Sequence, residues 1–183
     1  PYSHGLSSLG NEQCFKSEVK RQCKKIQEYF NQTPKVLRNS SLIYSDEIGL
    51  MTSKMRFKGM LTEGAKHVLG WKSPHYLYHC VLAPSLKLLL RDVTLSDDIS
   101  LRFNNSDWEG YPLFADNYMD RIASLPDDQQ IIGIFMNLSA LGMEQPLSSN
   151  ILEFFKALPA CAKSRNISFS TPTEICMKMK SVG

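Results

Sequence analysis

The first sustained pattern in the chain is an apolar stripe through Phe15, Val19, Cys23, Ile26 and Phe30. Steps of three and four put these residues on one face and predict a helix from Glu12 to Phe30, with Asn11 as its N-cap. Asn31-Gln32-Thr33-Pro34 ends that helix and opens a short extended run, Lys35–Arg38. A second helix is predicted after Ser45. Asp46 and Glu47 fall in its first turn, where the helix dipole favours acids, and Ile48, Met51 and Met55 face inward. Gly59–Thr62 reads as a buried strand, and Lys87–Arg91 as a second one. Between them, Glu63–Pro84 is irregular and reads as a long loop, a class of segment that usually carries function.

Ser96 with Asp97 and Asp98 predicts the start of a short helix ending near Phe103, and Phe114–Leu125 a further amphipathic helix stopped by Pro126. Ile131–Met136 is continuously apolar and has the strongest strand signal, as expected for a strand buried on both faces. Ser149 is read as the cap of a helix bearing Ile151, Leu152, Phe154, Phe155 and Leu158. Ile167–Phe169 reads as a last short strand, and Thr171-Pro172-Thr173-Glu174 as a capped helix start. Alternation of this kind predicts an α/β fold with parallel strands and helical cover, either an open layer or a barrel sector.

Composition adds limits. A chain of 183 residues with 43% hydrophobic and 21% charged positions can build its own core. It is too short for an eight-fold barrel of about 250 residues. Lys and Arg number 21 against 18 Asp and Glu, a net charge of +3. That field is too weak to argue for nucleic acid, and the Lys20–Lys25 cluster reads as the wet face of a helix. No apolar run is long enough to span a membrane. Cys14, Cys23, Cys80, Cys161 and Cys176 lack metal-ligand or disulfide-framework spacing, which fits a reducing, cytoplasmic compartment; no metal or cofactor is indicated. The sequons at Asn31, Asn39, Asn104, Asn137 and Asn166 are weak signals in a chain rich in Asn, Ser and Thr.

Parallel sheets place chemistry at the C-terminal ends of their strands. The residues to read are therefore Arg38–Ser41, Thr62-Glu63, Arg91-Asp92 and Asn137–Ser139. Trp71, Tyr76, Tyr78 and Trp108 lie in or beside predicted loops, and aromatic faces of this kind can stack on pyranose rings or simply pack the loop down.

Six segments of the chain carry a resemblance. Leu37-Arg38-Asn39-Ser40-Ser41-Leu42-Ile43-Tyr44-Ser45-Asp46-Glu47-Ile48-Gly49 and Phe135-Met136-Asn137-Leu138-Ser139-Ala140-Leu141-Gly142-Met143-Glu144-Gln145 resemble the third and fourth signature regions of glycoside hydrolase family 57, in its α-amylase branch. Tyr2-Ser3-His4-Gly5-Leu6-Ser7 resembles the second, histidine-containing region. Glu63–Trp71, Leu95–Phe103 and Phe169–Glu174 are similar to the same branch in the same order. The resemblance implies a partial (β/α) barrel of the seven-fold type. Because the match starts at the second region, it also implies that residues 1–183 form the later part of the barrel, lacking its first strands. Members act on α-linked glucans by a retaining mechanism, with a Glu nucleophile in the third region and an Asp acid/base in the fourth.

Matched residue by residue, Ser41 stands at the nucleophile position and Asn137 at the acid/base position. Such a mechanism needs one carboxylate to attack the anomeric carbon and a second, about 5 Å away, to protonate the leaving oxygen. Asn137 has no proton to transfer near neutral pH, and Ser41 has no evident activating base. The resemblance implies sugar contacts at His4 and His67, and Glu63 at a predicted strand end and Trp71 and Trp108 in or beside predicted loops are read as further substrate contacts. Three readings stay open: an inactive homologue that binds α-glucan or maltooligosaccharide, an active enzyme using displaced acids drawn from Glu63, Asp92 and Glu144, and an interaction scaffold without sugar affinity.

Overall fold

A computed structural model describes residues 1–182. Along the chain it places α1 (Glu12–Phe30), β1 (Val36–Arg38), α2 (Asp46–Lys54), β2 (Gly59–Glu63), α3 (Lys66–Leu69), β3 (Tyr78–Cys80), β4 (Ala83–Arg91), α4 (Val93–Ser100), α5 (Ala115–Ala123), α6 (Ile151–Lys163) and α7 (Pro172–Lys178). Two compact units result. One is Pro1–Arg91 together with the segment from Thr171 onward, and the other is Asp92–Ser170.

The first unit is a sheet in the order β1-β2-β4-β3. β1 pairs parallel with β2, and β2 parallel with β4. β3 adds an antiparallel edge to β4, inside the segment expected to be a loop. Its neighbour α3 is also unexpected. Neither carried a period long enough to read, because three and four residues cannot display one. α1 starts where expected: the Asn11 side chain accepts a hydrogen bond from the Cys14 amide at 2.7 Å. Its stripe is only partly used. Phe15 and Val19 are fully buried, but Phe30 at the other end is 70% exposed. The Ser45 side chain caps α2, whose Ile48 and Thr52 are buried. With Leu37, Met60, Leu86 and Leu88 they close one face of the sheet. Cys176 of α7 lies on Gly59 of β2, where a side chain would collide with its sulfur. The residues that form this unit's core therefore come from β-strands on alternate positions and from helices on two sides.

The second unit is helical. α4, α5 and α6 bury Leu95, Ile99, Tyr118, Met119, Ile122, Ile151, Phe154 and Leu158 around one centre. Phe154 packs edge-to-face on Phe103 and Tyr118, with ring centroids 5.2 and 5.6 Å away. Tyr118 donates its hydroxyl to the Leu95 carbonyl at 3.0 Å, and burial holds that hydroxyl well above its ordinary pKa range.

Three expectations are corrected here. Ile131–Met136 forms no strand. It lies against the helical core through Ile132, Ile134 and Met136, while the Gly133 carbonyl accepts from the Asp92 amide and the Phe135 amide donates to Ser96 Oγ. Its apolar run is thus satisfied by helices instead of by neighbouring strands. Ile167–Phe169 also joins no sheet, and Phe169 is largely exposed. α4 is capped by Asp92, not Ser96, which lies buried inside the helix. The four-stranded, mostly parallel sheet with helices agrees with the α/β expectation.

Candidate active-site positions

The sheet's C-terminal strand ends are assembled from residues the sequence singled out. β1 runs into Asn39, which is fully buried. Its amide donates to Ser8 Oγ at 2.7 Å and to the Ile43 carbonyl at 2.9 Å, and its oxygen accepts from the Ser40 amide at 2.9 Å. Every bond clamps the tight turn Ser40–Leu42. Within it, Ser41 and Leu42 both have positive φ, 52° and 55°, a region that non-glycine residues enter at a cost of about 1 kcal/mol or more. Leu42 is buried and Ser41 is exposed, so the strain is spent on presenting position 41 to solvent. Among the described residues Ser41 Oγ has no hydrogen-bond partner that could serve as its base.

The same clamp holds the N-terminal segment. Ser8 is buried on Asn39, and further upstream Ser3 donates its amide at 2.8 Å and its hydroxyl to the Glu18 carboxylate of α1. Those bonds keep the Glu18 carboxyl below its ordinary range. The Arg21 guanidinium sits 4.0 Å from the Tyr2 ring centroid. His4 lies between these anchors, exposed and with positive φ.

At the end of β2, Glu63 is in register with Arg91 of β4, and the two side chains meet at 3.3 Å. Arg91, not Lys66 or Arg38, is therefore the partner of Glu63. Gly64 follows because a side chain there would strike the Arg91 carbonyl. His67 lies on the single turn of α3 and is exposed, and Trp71 just beyond is 92% exposed. Nearby, Tyr78 donates its hydroxyl to the Ser73 carbonyl at 2.6 Å and His75 is buried, so those rings are structural. His4, Ser41, Glu63, His67 and Trp71 all belong to the first unit; Asn137 and Trp108 belong to the second.

In the second unit Asn137 is exposed and leads into a tight turn, Leu138–Ala140. Ser139 donates to Glu144 Oε1 at 2.6 Å, and its carbonyl accepts the Met143 and Glu144 amides. Buried Gln145 closes the loop by donating to the Ser100 carbonyl at 2.9 Å. Asp92 is buried as the N-cap of α4, accepting from the Leu95 amide at 2.7 Å. Trp108 is half-buried against Gly110, with the Arg102 guanidinium 5.7 Å from its ring centroid.

Arg102 belongs to a cluster that sequence reading missed. Buried Asp98 bridges Arg102 and Arg121. The spacing of Asp98 and Arg102 at i and i+4 was visible, but Arg121 comes from a different helix. No group of three or more His, Cys, Asp or Glu among the described residues could hold a metal ion. None of the described helices is long and apolar enough to cross a membrane.

Comparison with known proteins follows the same residues. A solved structure titled "putative polysaccharide deacetylase" from Mycobacterium smegmatis superposes on 95% of this chain and 59% of its own, with a TM-score of 0.60 and 14% identity. At that identity the likeness concerns the fold alone. A protein of Methanocaldococcus jannaschii named "Putative alpha-amylase" is 36% identical over 184 residues, which include all of this chain and 38% of the relative. The chain thus spans well under half the length of that curated relative. The pattern of the family described as glycosyl hydrolase family 57 extends over residues 1–183, from the His4 segment through the Ser41 turn and the Asn137 loop, and the chain belongs to that family.

Proposed function

We propose that this chain is an α-amylase-like family 57 homologue that has lost the retaining reaction and retains at most an affinity for α-glucan, as a sector of the family's barrel. One observation carries the reading: Ser41 and Asn137 occupy the positions where the resemblance implies a carboxylate nucleophile and a carboxylic acid. Neither replacement can supply the missing chemistry. A serine without a base is a poor nucleophile, and an amide cannot protonate a leaving oxygen.

The displaced acids fit a structural role better than a catalytic one. Asp92 is consumed as a buried helix cap, Glu63 is paired with Arg91, and Glu144 accepts from Ser139 within its own loop. Sugar contacts are proposed at His4, Glu63, His67 and Trp71, and at Trp108 in the second unit. Trp71 supports this best, because its indole is almost entirely free to stack.

The test is incubation with maltoheptaose, followed by reducing-end release and by calorimetry. The wild type is expected to show no turnover, with binding weakened by Trp71→Ala. The double variant Ser41→Glu with Asn137→Asp should gain measurable hydrolysis. Robust wild-type turnover abolished by Glu63→Gln would overturn the proposal in favour of an enzyme with displaced acids. Absence of binding heat in the wild type would overturn its glucan part in favour of an interaction scaffold.

A further inference from the structure

The second unit contains an open cleft of about 530 Å³ that involves neither Ser41 nor Asn137. Thr94, Asp98, Arg102, Trp108, Glu109 and Arg121 line it. Its floor is the Asp98 carboxylate, which is 1% exposed. Both carboxylate oxygens are engaged. Oδ1 accepts from Arg102 Nε at 2.8 Å and lies 2.6 Å from Arg102 Nη2, and Oδ2 lies 2.5 Å from Arg121 Nη2. One buried negative charge therefore holds two guanidinium groups side by side, and Glu109, which also lines the cleft, brings the formal charge of the lining to zero.

Arg102 is fixed further. Its Nη2 donates to the Thr94 carbonyl at 3.0 Å, and Trp108 stands beside the guanidinium with Gly110 closing behind the indole. A guanidinium carries five N–H donors in a planar fork. Arg102 Nη1 and the Nε and Nη1 of Arg121 have no acceptor among the described residues. The two side chains line the cleft and are 34% and 41% exposed, so both keep part of their surface open to it. Glu109 lines the same cleft and is exposed, so solvent weakens its opposition to an anion without removing it. Two preorganised forks with spare donors match a tetrahedral oxyanion better than a neutral hydroxyl.

We propose that this cleft binds a phosphate group, either inorganic phosphate or the phosphate ester of a sugar. Asp98 acts here as a positioning residue. It cancels the repulsion between the arginines and aims their open edges, while Trp108 holds Arg102 in place and offers its ring edge to an attached sugar. The inference stands whether or not positions 41 and 137 take part in catalysis.

The test is thermal unfolding and ³¹P NMR of the intact protein, titrated with inorganic phosphate and separately with glucose 1-phosphate, at ionic strength matched with chloride. Phosphate is expected to raise the melting temperature saturably where chloride does not. Arg121→Gln should weaken that binding by about tenfold, the loss of one charge-assisted fork. Glu109→Gln leaves the Asp98 ion pairs intact and should tighten binding, which keeps the test decisive even where the Arg121 variant loosens its helix. Tighter binding of glucose 1-phosphate than of phosphate assigns a sugar ester; equal binding assigns the free anion. Absence of phosphate-specific stabilisation into the tens of millimolar, or wild-type affinity in Arg121→Gln, would overturn the proposal.

Discussion

At Asn39 the side chain matters more than its flanking motif suggested. As a sequon it reads as a glycan acceptor, yet it is fully buried with three hydrogen bonds, so no glycan can be attached to it in the folded protein. Asn39→Ala strands the buried Ser40 amide and the part-buried Ile43 carbonyl. Each orphaned group costs about 1–3 kcal/mol, and a total loss of about 2–4 kcal/mol is expected by urea titration. Asn39→Asp should be less damaging to the Ser40 bond but lose both donated ones. A loss under half a kilocalorie for Asn39→Ala would show that the turn holds its strained Ser41 and Leu42 without the clamp. The strand-end rule marked the stretches that hold Ser41 and Asn137, but a role for either residue was legible only through resemblance, because neither residue type signals catalysis by itself. The Asp98 cluster was illegible for a different reason: one of its three members arrives from another helix, and no spacing along the chain records that.

Elements with their own local signals were readable. α1, α2 and α7 each show a capping side chain next to a periodic run, and the structure places all three caps as the sequence implied, including the reciprocal Thr171 and Glu174 capping box. β1, β2 and β4 were found by their apolar runs, although β4 begins earlier than expected. The failure at Ile131–Met136 has a clear cause. A continuously apolar run of six records burial, not strand pairing, and burial can be supplied by helices. Ile132 and Ile134 have no amide hydrogen bond among the described residues, whereas Met60 in β2 is laddered on both sides. Hydrogen exchange should therefore find the Ile132 and Ile134 amides exchanging orders of magnitude faster than that of Met60. Comparable protection in the two segments would mean that Ile131–Met136 is laddered after all.

At the scale of the whole chain, composition promised one comfortable core, and the structure contains two. The sheet unit is built on Phe15, Val19, Met60, Leu86 and Leu88, and the helical unit on Tyr118, Ile151, Phe154 and Leu158. No residue is shared between these clusters, so a cavity cut into one removes contacts from that one alone. The chain's two tryptophans fall one in each unit, which makes the consequence measurable. In a Trp71→Phe background, Trp108 fluorescence reports on the helical unit. Phe154→Ala removes a fully packed aromatic and should cost about 3–5 kcal/mol, shifting the Trp108 transition to lower denaturant. Phe15→Ala should cost a similar amount, yet shift only the part of the far-ultraviolet dichroism that comes from the sheet unit, leaving Trp108 where it was. An equal shift of the Trp108 transition by both variants would mean that the two cores unfold as one cooperative body, because a two-state chain loses all of its structure at a single midpoint whichever core is weakened.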